Sequence, residues 1–365
     1  MDIGIPKEAR SREHRVGLTP LGVKTLAQKG HRAYVETGAG SGAGHPDADY
    51  ESAGARIVWS RSEALGRAEL VLSILAPEPR DYVQLVPRQT VVAFWALALA
   101  RPDDVRVLSD RQITAIGLEA IEDDEGRTPV LTSMSEIAGA LAVTVGAGLL
   151  LNEFGGKGIL MGGVPGVAPA NLVILGAGVL GRAAARAAVG MGAQITLLDV
   201  SVSHLREVLV ELRSPVTTYV ATRPNLEKTL AFADLVLGAV AVHGQRAPIL
   251  VTRPMLKLMK PRSVVMDMSI DMGGCFETSR PTSFPNPTYE IDGILHFCVP
   301  NLASTAARTA THALTSAVLP YVAGIADLGL ERALQTMTDL RRGVYFELGE
   351  ARKEWLRHSL GLERG

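Results

Sequence analysis

Gly176, Gly178 and Gly181 stand in G-x-G-x-x-G spacing, directly after an apolar run and ahead of an Ala-rich one. Each glycine in such a pattern has its own task. Gly176 makes a tight turn, Gly178 lets a pyrophosphate approach the backbone, and Gly181 allows close strand–helix packing. The helix that opens there offers unpaired N–H groups and a partial positive charge to an anion. Asp199 ends the next apolar run, about 20 residues on, where a carboxylate accepts from ribose hydroxyls and repels a 2′-phosphate. The constellation points to NAD in preference to NADP. Two further groups carry chemistry. Arg15 can form a bidentate pair with a carboxylate, which suits an amino or oxo acid. Asp271 closes an apolar strand ahead of two glycines. No cluster has metal-ligand spacing, so no metal is expected.

These groups need strand ends and helix starts to hold them. Strand-like runs at Asp2–Pro6, Arg32–Glu36, Leu70–Leu75, Thr90–Trp95 and Ile113–Leu118 alternate with helical or polar pieces, as in a parallel sheet covered on both faces. Thr19 as N-cap, Pro20 at the first position and Gly30 at the stop predict a helix over Leu21–Gly30. The middle segment has runs at Asn171–Leu175, Gln194–Asp199, Thr217–Ala221, Ala233–Val240, Ser263–Ser269 and Ile294–Val299, the strand number of a doubly wound dinucleotide domain. After Asn301 the pattern turns helical, Thr309–Leu328 and then Leu330–Leu360 with interruptions, and no strands are expected there. The fold class is therefore α/β: two doubly wound domains around a cleft, the central one a Rossmann domain. Residues 1–135 with 305–365 form the substrate domain and 136–304 the nucleotide domain. Chain crossings at Glu136–Leu151 and near Asn301–Thr315 hinge the cleft. Gly155–Val167 reads as a structured connector.

The composition narrows the function classes. The 37 basic and 38 acidic residues are interspersed and give a formal net charge of -1, without the basic face of a nucleic-acid binder. Cys275 and Cys298, the two cysteines, are too few for a disulfide framework and read as buried thiols in a reducing compartment. The first residues lack the apolar core of a signal peptide. Ile137–Leu151 is shorter than the roughly 20 residues of a membrane span and reads as a packed helix. The expected partners exclude nucleic acid and membrane, and the expected location is cytoplasmic.

The segments GIPKE (4–8), HRVGLTP (14–20), SMSEIAG (133–139), MGGVPGV (161–167), LGAGVLG (175–181), DMGGCFETSRPT (271–282) and CVPNL (298–302) resemble the alanine dehydrogenase/transhydrogenase family over nearly the full length. The resemblance implies a substrate domain made from both chain ends, a central NAD domain, an active site in the cleft and a homohexamer. It implies that an arginine and a lysine hold the substrate carboxylate, a histidine acts as acid and base, and an aspartate stands near the nicotinamide. The arginine corresponds to Arg15 and the aspartate to Asp271, the expected catalytic residue. The lysine position is Leu75 and the histidine position is Ala96, with Trp95 beside it, so this substrate wall is apolar. Glu119 and Asn301 are further substrate-side candidates. Met134 and Ser135 resemble nicotinamide contacts, and Val179, Leu180, Val240 and Leu302 complete the expected cofactor set. His243 reads as a loop residue near the cofactor.

A general acid/base is worth roughly 10²–10⁴ in rate, and a hydrogen bond to a charged group about 1.5–3 kcal/mol. Reducing a ketone develops an alkoxide that needs a donor, whereas a preformed iminium already carries the charge to be neutralised. The expected function is thus an NAD(H)-dependent oxidoreductase of an amino or imino acid other than alanine. Two alternatives stand beside it: a slow alanine dehydrogenase, and a non-catalytic NAD-binding paralogue.

Overall fold

The structure is a computed structural model that describes all residues except 11, 98, 99, 101, 242–245 and 360–365. His243 lies outside the described residues. The chain divides into one unit of Met1–Met134 and Ser304–Gly365, and another of Ser135–Ala303.

In the first unit, β1 (Asp2–Ile5), β2 (Arg32–Glu36), β3 (Arg56–Val58), β4 (Leu70–Leu75), β5 (Thr90–Phe94) and β6 (Thr114–Gly117) pair in parallel. Their order is β3-β2-β1-β4-β5-β6, the doubly wound arrangement. β4 is buried almost throughout, as a strand covered on both faces must be. The helix Pro20–Gln28 forms where its signals place it: Thr19 Oγ accepts from Gly22 N at 3.3 Å, and Gly30 turns the chain away at φ +85°. β3 escapes the sequence reading because it has only three residues, too few to show alternation.

The second unit contains β7 (Asn171–Leu175), β8 (Gln194–Asp199), β9 (Thr217–Val220), β10 (Leu235–Gly238), β11 (Val264–Asp267), β12 (Thr288–Ile291) and β13 (Ile294–Phe297). The order is β12-β13-β11-β10-β7-β8-β9. Setting β12 aside, this repeats the arrangement of the first unit. β12 corrects the expected strand count: it pairs antiparallel with β13 across the turn Asp292-Gly293, where φ is +52° and +77°. Asp-Gly between strand-like runs is the hairpin signal that should have revealed it.

The helix Pro129–Leu149 has 21 residues and is long and apolar enough to cross a membrane by length and composition alone. That corrects the length argument made from Ile137–Leu151. One side of the helix packs, since Ala142, Val143 and Leu149 join the core around Leu172, Leu235 and Met266, while 33% of its apolar window is buried. Gly146 leaves room for the Leu235 side chain, so small residues let helix and sheet approach. Cys275 and Cys298 are free buried thiols.

The tail also needs correction. After the helix Ala307–Leu328, β14 (Val344–Glu347) pairs antiparallel with β6, and β15 (Glu350–Ala351) with β14. The first unit's sheet therefore has eight strands. Val344, Tyr345 and Phe346 are buried, and Leu348 and Gly349 turn the hairpin at positive φ. A run of apolar residues this short is not distinguishable by periodicity from a helical turn.

Candidate functional site

The nucleotide side belongs to the second unit. The helix Val179–Gly190 starts at Gly178, which is in extended conformation and has no side-chain cap. Gly176 holds φ +108°, and a Cβ there would strike the Ala239 carbonyl. At Gly181 a Cβ would run into the Gly176 carbonyl oxygen. Among the described residues, and apart from its chain neighbours, no heavy atom lies within 4 Å of the Cβ position of Gly178. The loop is thus crowded from the protein side and open where a phosphate would lie, which is the shape a dinucleotide cradle requires. Val179 and Leu180 form the first turn, both partly buried.

Asp199, at the end of β8, has a second task that the sequence did not reveal. Its Oδ2 accepts from Ala177 N and its Oδ1 from Ser201 N, each at 2.7 Å. His204 Nδ1 lies 3.4 Å from Oδ1. The carboxylate thereby braces the glycine turn, and each oxygen has further lone-pair capacity to accept from a ribose hydroxyl. Val240 N donates to Ser269 Oγ at 3.0 Å. Asp271 sits exposed on a 3₁₀ turn, Ile270–Met272, and its Oδ2 accepts from Asn301 N at 3.2 Å. Asn301 adopts φ +60°, which asparagine tolerates better than most residues. Leu302 is packed in the core, and Ser135 is partly exposed on its helix.

The substrate-side candidates, apart from Asn301, belong to the first unit. Arg15 is only 3% exposed. Its Nε and Nη2 donate to Glu13 Oε1 and Oε2 at 2.8 and 2.7 Å, and Nη1 approaches Met134 Sδ at 3.3 Å. The bidentate pair with Glu13 fixes the plane of the guanidinium. Sequence reasoning missed Glu13, although its position two residues before the arginine was a usable signal. Leu75 ends β4, and its N–H and that of Ile74 donate to Glu8 at 3.3 and 2.7 Å. Glu8, Arg10, Arg61, Leu75, Ala76 and Glu78 surround a cavity of about 40 Å³.

Trp95 is buried, and its indole N–H lacks a partner among the described residues. Ala96 is exposed and left-handed at φ +48°. Glu119 explains that conformation: its carboxyl accepts from Trp95 N at 3.1 Å, Ala96 N at 3.0 Å and Tyr345 Oη at 3.1 Å. Glu119 is therefore a backbone clamp at the position next to Trp95. Burial raises its pKa above the ordinary carboxylate range, against the lowering effect of these donors.

Burial also pushes the Glu8 carboxyl up to about 7, with Glu13 adding to the rise and the backbone donors and Arg61 opposing it. A carboxyl whose folded pKa lies above its unfolded value stabilises the fold fully below the unfolded value, and that contribution is lost as pH rises through about 7. Each pKa unit corresponds to about 1.4 kcal/mol. Glu8→Gln is expected to flatten the fall in melting temperature between pH 5 and 8 that the unmodified protein is expected to show. Parallel melting curves across that range would refute this assignment.

A family model for the Alanine dehydrogenase/PNT N-terminal domain matches residues 4–138, and one for the C-terminal domain matches residues 142–354. The chain belongs to the Alanine dehydrogenase/PNT family. Among its relatives, the alanine dehydrogenase of Halomonas elongata is 42% identical over 363 residues, covering 100% of this chain and 98% of that protein. The alanine dehydrogenase of Bacillus subtilis is 42% identical over 366 residues, covering 100% and 96%. A solved L-alanine dehydrogenase superposes with a TM-score of 0.93 at 41% identity, covering 99% of both chains. The transhydrogenase from Sinorhizobium meliloti shares the fold of this Alanine dehydrogenase/PNT family member, with a TM-score of 0.80 at 24% identity.

Proposed function

We propose that the chain is an NAD(H)-dependent amino-acid dehydrogenase that interconverts L-alanine with pyruvate and ammonia. The observation that carries this reading is full-length similarity, at 42% identity, to proteins named for that activity. The glycine cradle and the Asp199 brace support NAD(H) as cofactor, since a carboxylate at that strand end disfavours a 2′-phosphate. When bound, NAD(H) supplies the hydride acceptor or donor. Arg15, oriented by Glu13, takes the substrate carboxylate. The family resemblance assigns Asp271 to the substrate nitrogen, whose positive charge a carboxylate would stabilise. Ala96 brings no proton donor to an oxo group, so reduction of a preformed iminium is the step these residues serve best.

A second reading, another amino or imino acid as substrate, is favoured by Leu75 and Ala96, which replace charged or polar groups with hydrocarbon. The proposal extends to a homohexamer and a cytoplasmic location, both carried by the family resemblance. Exposed Phe154, Leu160, Val164 and Val167 support burial of this surface by other copies.

A panel of L-amino acids with NAD, followed at the NADH absorbance, tests the reading. Slow turnover with L-alanine as the preferred substrate is expected. Clear preference for another amino acid would replace the first reading with the second. Tight NADH binding without turnover of any amino, oxo or imino acid would sink both.

A further inference from the structure

Asp267, the last residue of β11, is fully buried. Among the described residues its donors are all neutral. Oδ1 accepts from Ser269 N at 3.0 Å and faces Cys275 Sγ at 3.5 Å. Oδ2 accepts from Cys275 N at 2.8 Å, Phe276 N at 3.3 Å and Ser279 Oγ at 2.6 Å. A buried carboxylate is tolerated only when its lone pairs are filled this thoroughly. Its bonds gather both ends of the segment from Ser269 to Ser279, and inside that segment lies the 3₁₀ turn that carries Asp271. Gly274, at φ +85°, lets the backbone pass so close that a Cβ would stand 2.8 Å from Oδ2. The same knot reaches the nucleotide side, because Ser269 Oγ accepts from Val240 N.

We propose that Asp267 is a positioning residue: its Oδ1 sets the turn that presents Asp271, while Ser269 couples that turn to the Val240 backbone of the cofactor loop. The assignment rests on the dehydrogenase reading insofar as Asp271 serves the substrate, but the geometric coupling is testable without it. An asparagine at 267 can keep its carbonyl toward Cys275, Phe276 and Ser279. Its amide group then faces the Ser269 N–H, donor against donor, and the turn loses its anchor.

The experiment compares Asp267→Asn, Ser269→Ala and the unmodified protein by NADH titration, steady-state kinetics and amide hydrogen exchange. For Asp267→Asn, kcat is expected to fall about 10–100-fold, and the Kd for NADH to rise by a clearly smaller factor, because Ser269 passes part of the disturbance to Val240. Exchange is expected to rise in 268–276 and to stay unchanged in β7 and β8. Ser269→Ala is expected to show the converse, weaker NADH binding with kcat at saturating NADH largely kept. Should Asp267→Asn fail to fold, Ser279→Ala removes one donor from the same carboxylate and is expected to show a smaller version of the same split. Equal loss of kcat and NADH affinity in both variants, or unchanged exchange in 268–276, would overturn the proposal. If the unmodified protein binds NADH but turns over no amino acid, the dehydrogenase reading fails, and the exchange comparison alone still decides whether Asp267 holds the turn.

Discussion

Replacing Leu75 by lysine and Ala96 by histidine together is expected to raise the rate of pyruvate amination by roughly 10²–10⁴-fold, the range of a positioned general acid. The backbone is already prepared at both places. Ala96 holds φ +48°, a region histidine enters more readily than most residues, and Glu119 fixes that peptide through its N–H. Leu75 N–H is tied to Glu8, so a lysine there would leave the end of β4 as it is. Its ammonium would also stand near Glu8 and favour the charged carboxylate, bringing a pair where one hydrocarbon chain had been. The KM for pyruvate should fall, because an added charged contact is worth about 1.5–3 kcal/mol. The double variant needs the same melting temperature and NADH affinity as its parent for the comparison to count. Unaltered amination under those conditions would mean that neither position limits the reaction.

The second large effect separates two glycines of one loop. Gly178→Val is expected to leave the melting temperature within about 2 °C of the parent, since among the described residues no atom beyond its chain neighbours lies within 4 Å of its Cβ position. NADH affinity should nevertheless drop about 100-fold, or about 2.7 kcal/mol, because the added methyl groups occupy the approach of the pyrophosphate. Gly181→Val is expected to do the reverse of sparing the fold. Its Cβ would overlap the Gly176 carbonyl, and overpacking of this kind costs typically 1–3 kcal/mol or more. Fluorescence titration with NADH and thermal melting read the two effects apart. A Gly178→Val protein that binds NADH as well as its parent would remove the loop from the cofactor site.

Long parallel strands were legible in the sequence because burial on both faces makes them nearly continuous apolar runs, as in Leu70–Leu75 and Asn171–Leu175. The helix cap at Thr19 was legible because capping is a local matter of one side chain and a few N–H groups. Family resemblance and the G-x-G-x-x-G spacing together indicated the nucleotide loop. What escaped was short or non-local. β3 and β15 are too brief for any period to show, and β14 is recruited by a partner strand more than two hundred residues earlier. The clamp of Glu119 on residues 95 and 96 is made of tertiary hydrogen bonds that residue types alone do not announce, whereas the pair of Glu13 with Arg15 is local and was passed over. Asp267 read as one more residue in a strand, although its burial beneath a glycine-containing turn makes it a structural centre.

The return of β14 and β15 to the first sheet fixes an order of assembly during synthesis. Once Ala303 has emerged from the ribosome, the residues of the second unit are all available, and that unit can close its sheet. The opening segment must wait, with the outer edge of β6 unpaired, until Val344–Ala351 has emerged. Translation speed between Gly117 and Ala351 therefore governs how long that raw edge is open to wrong pairings or to a chaperone.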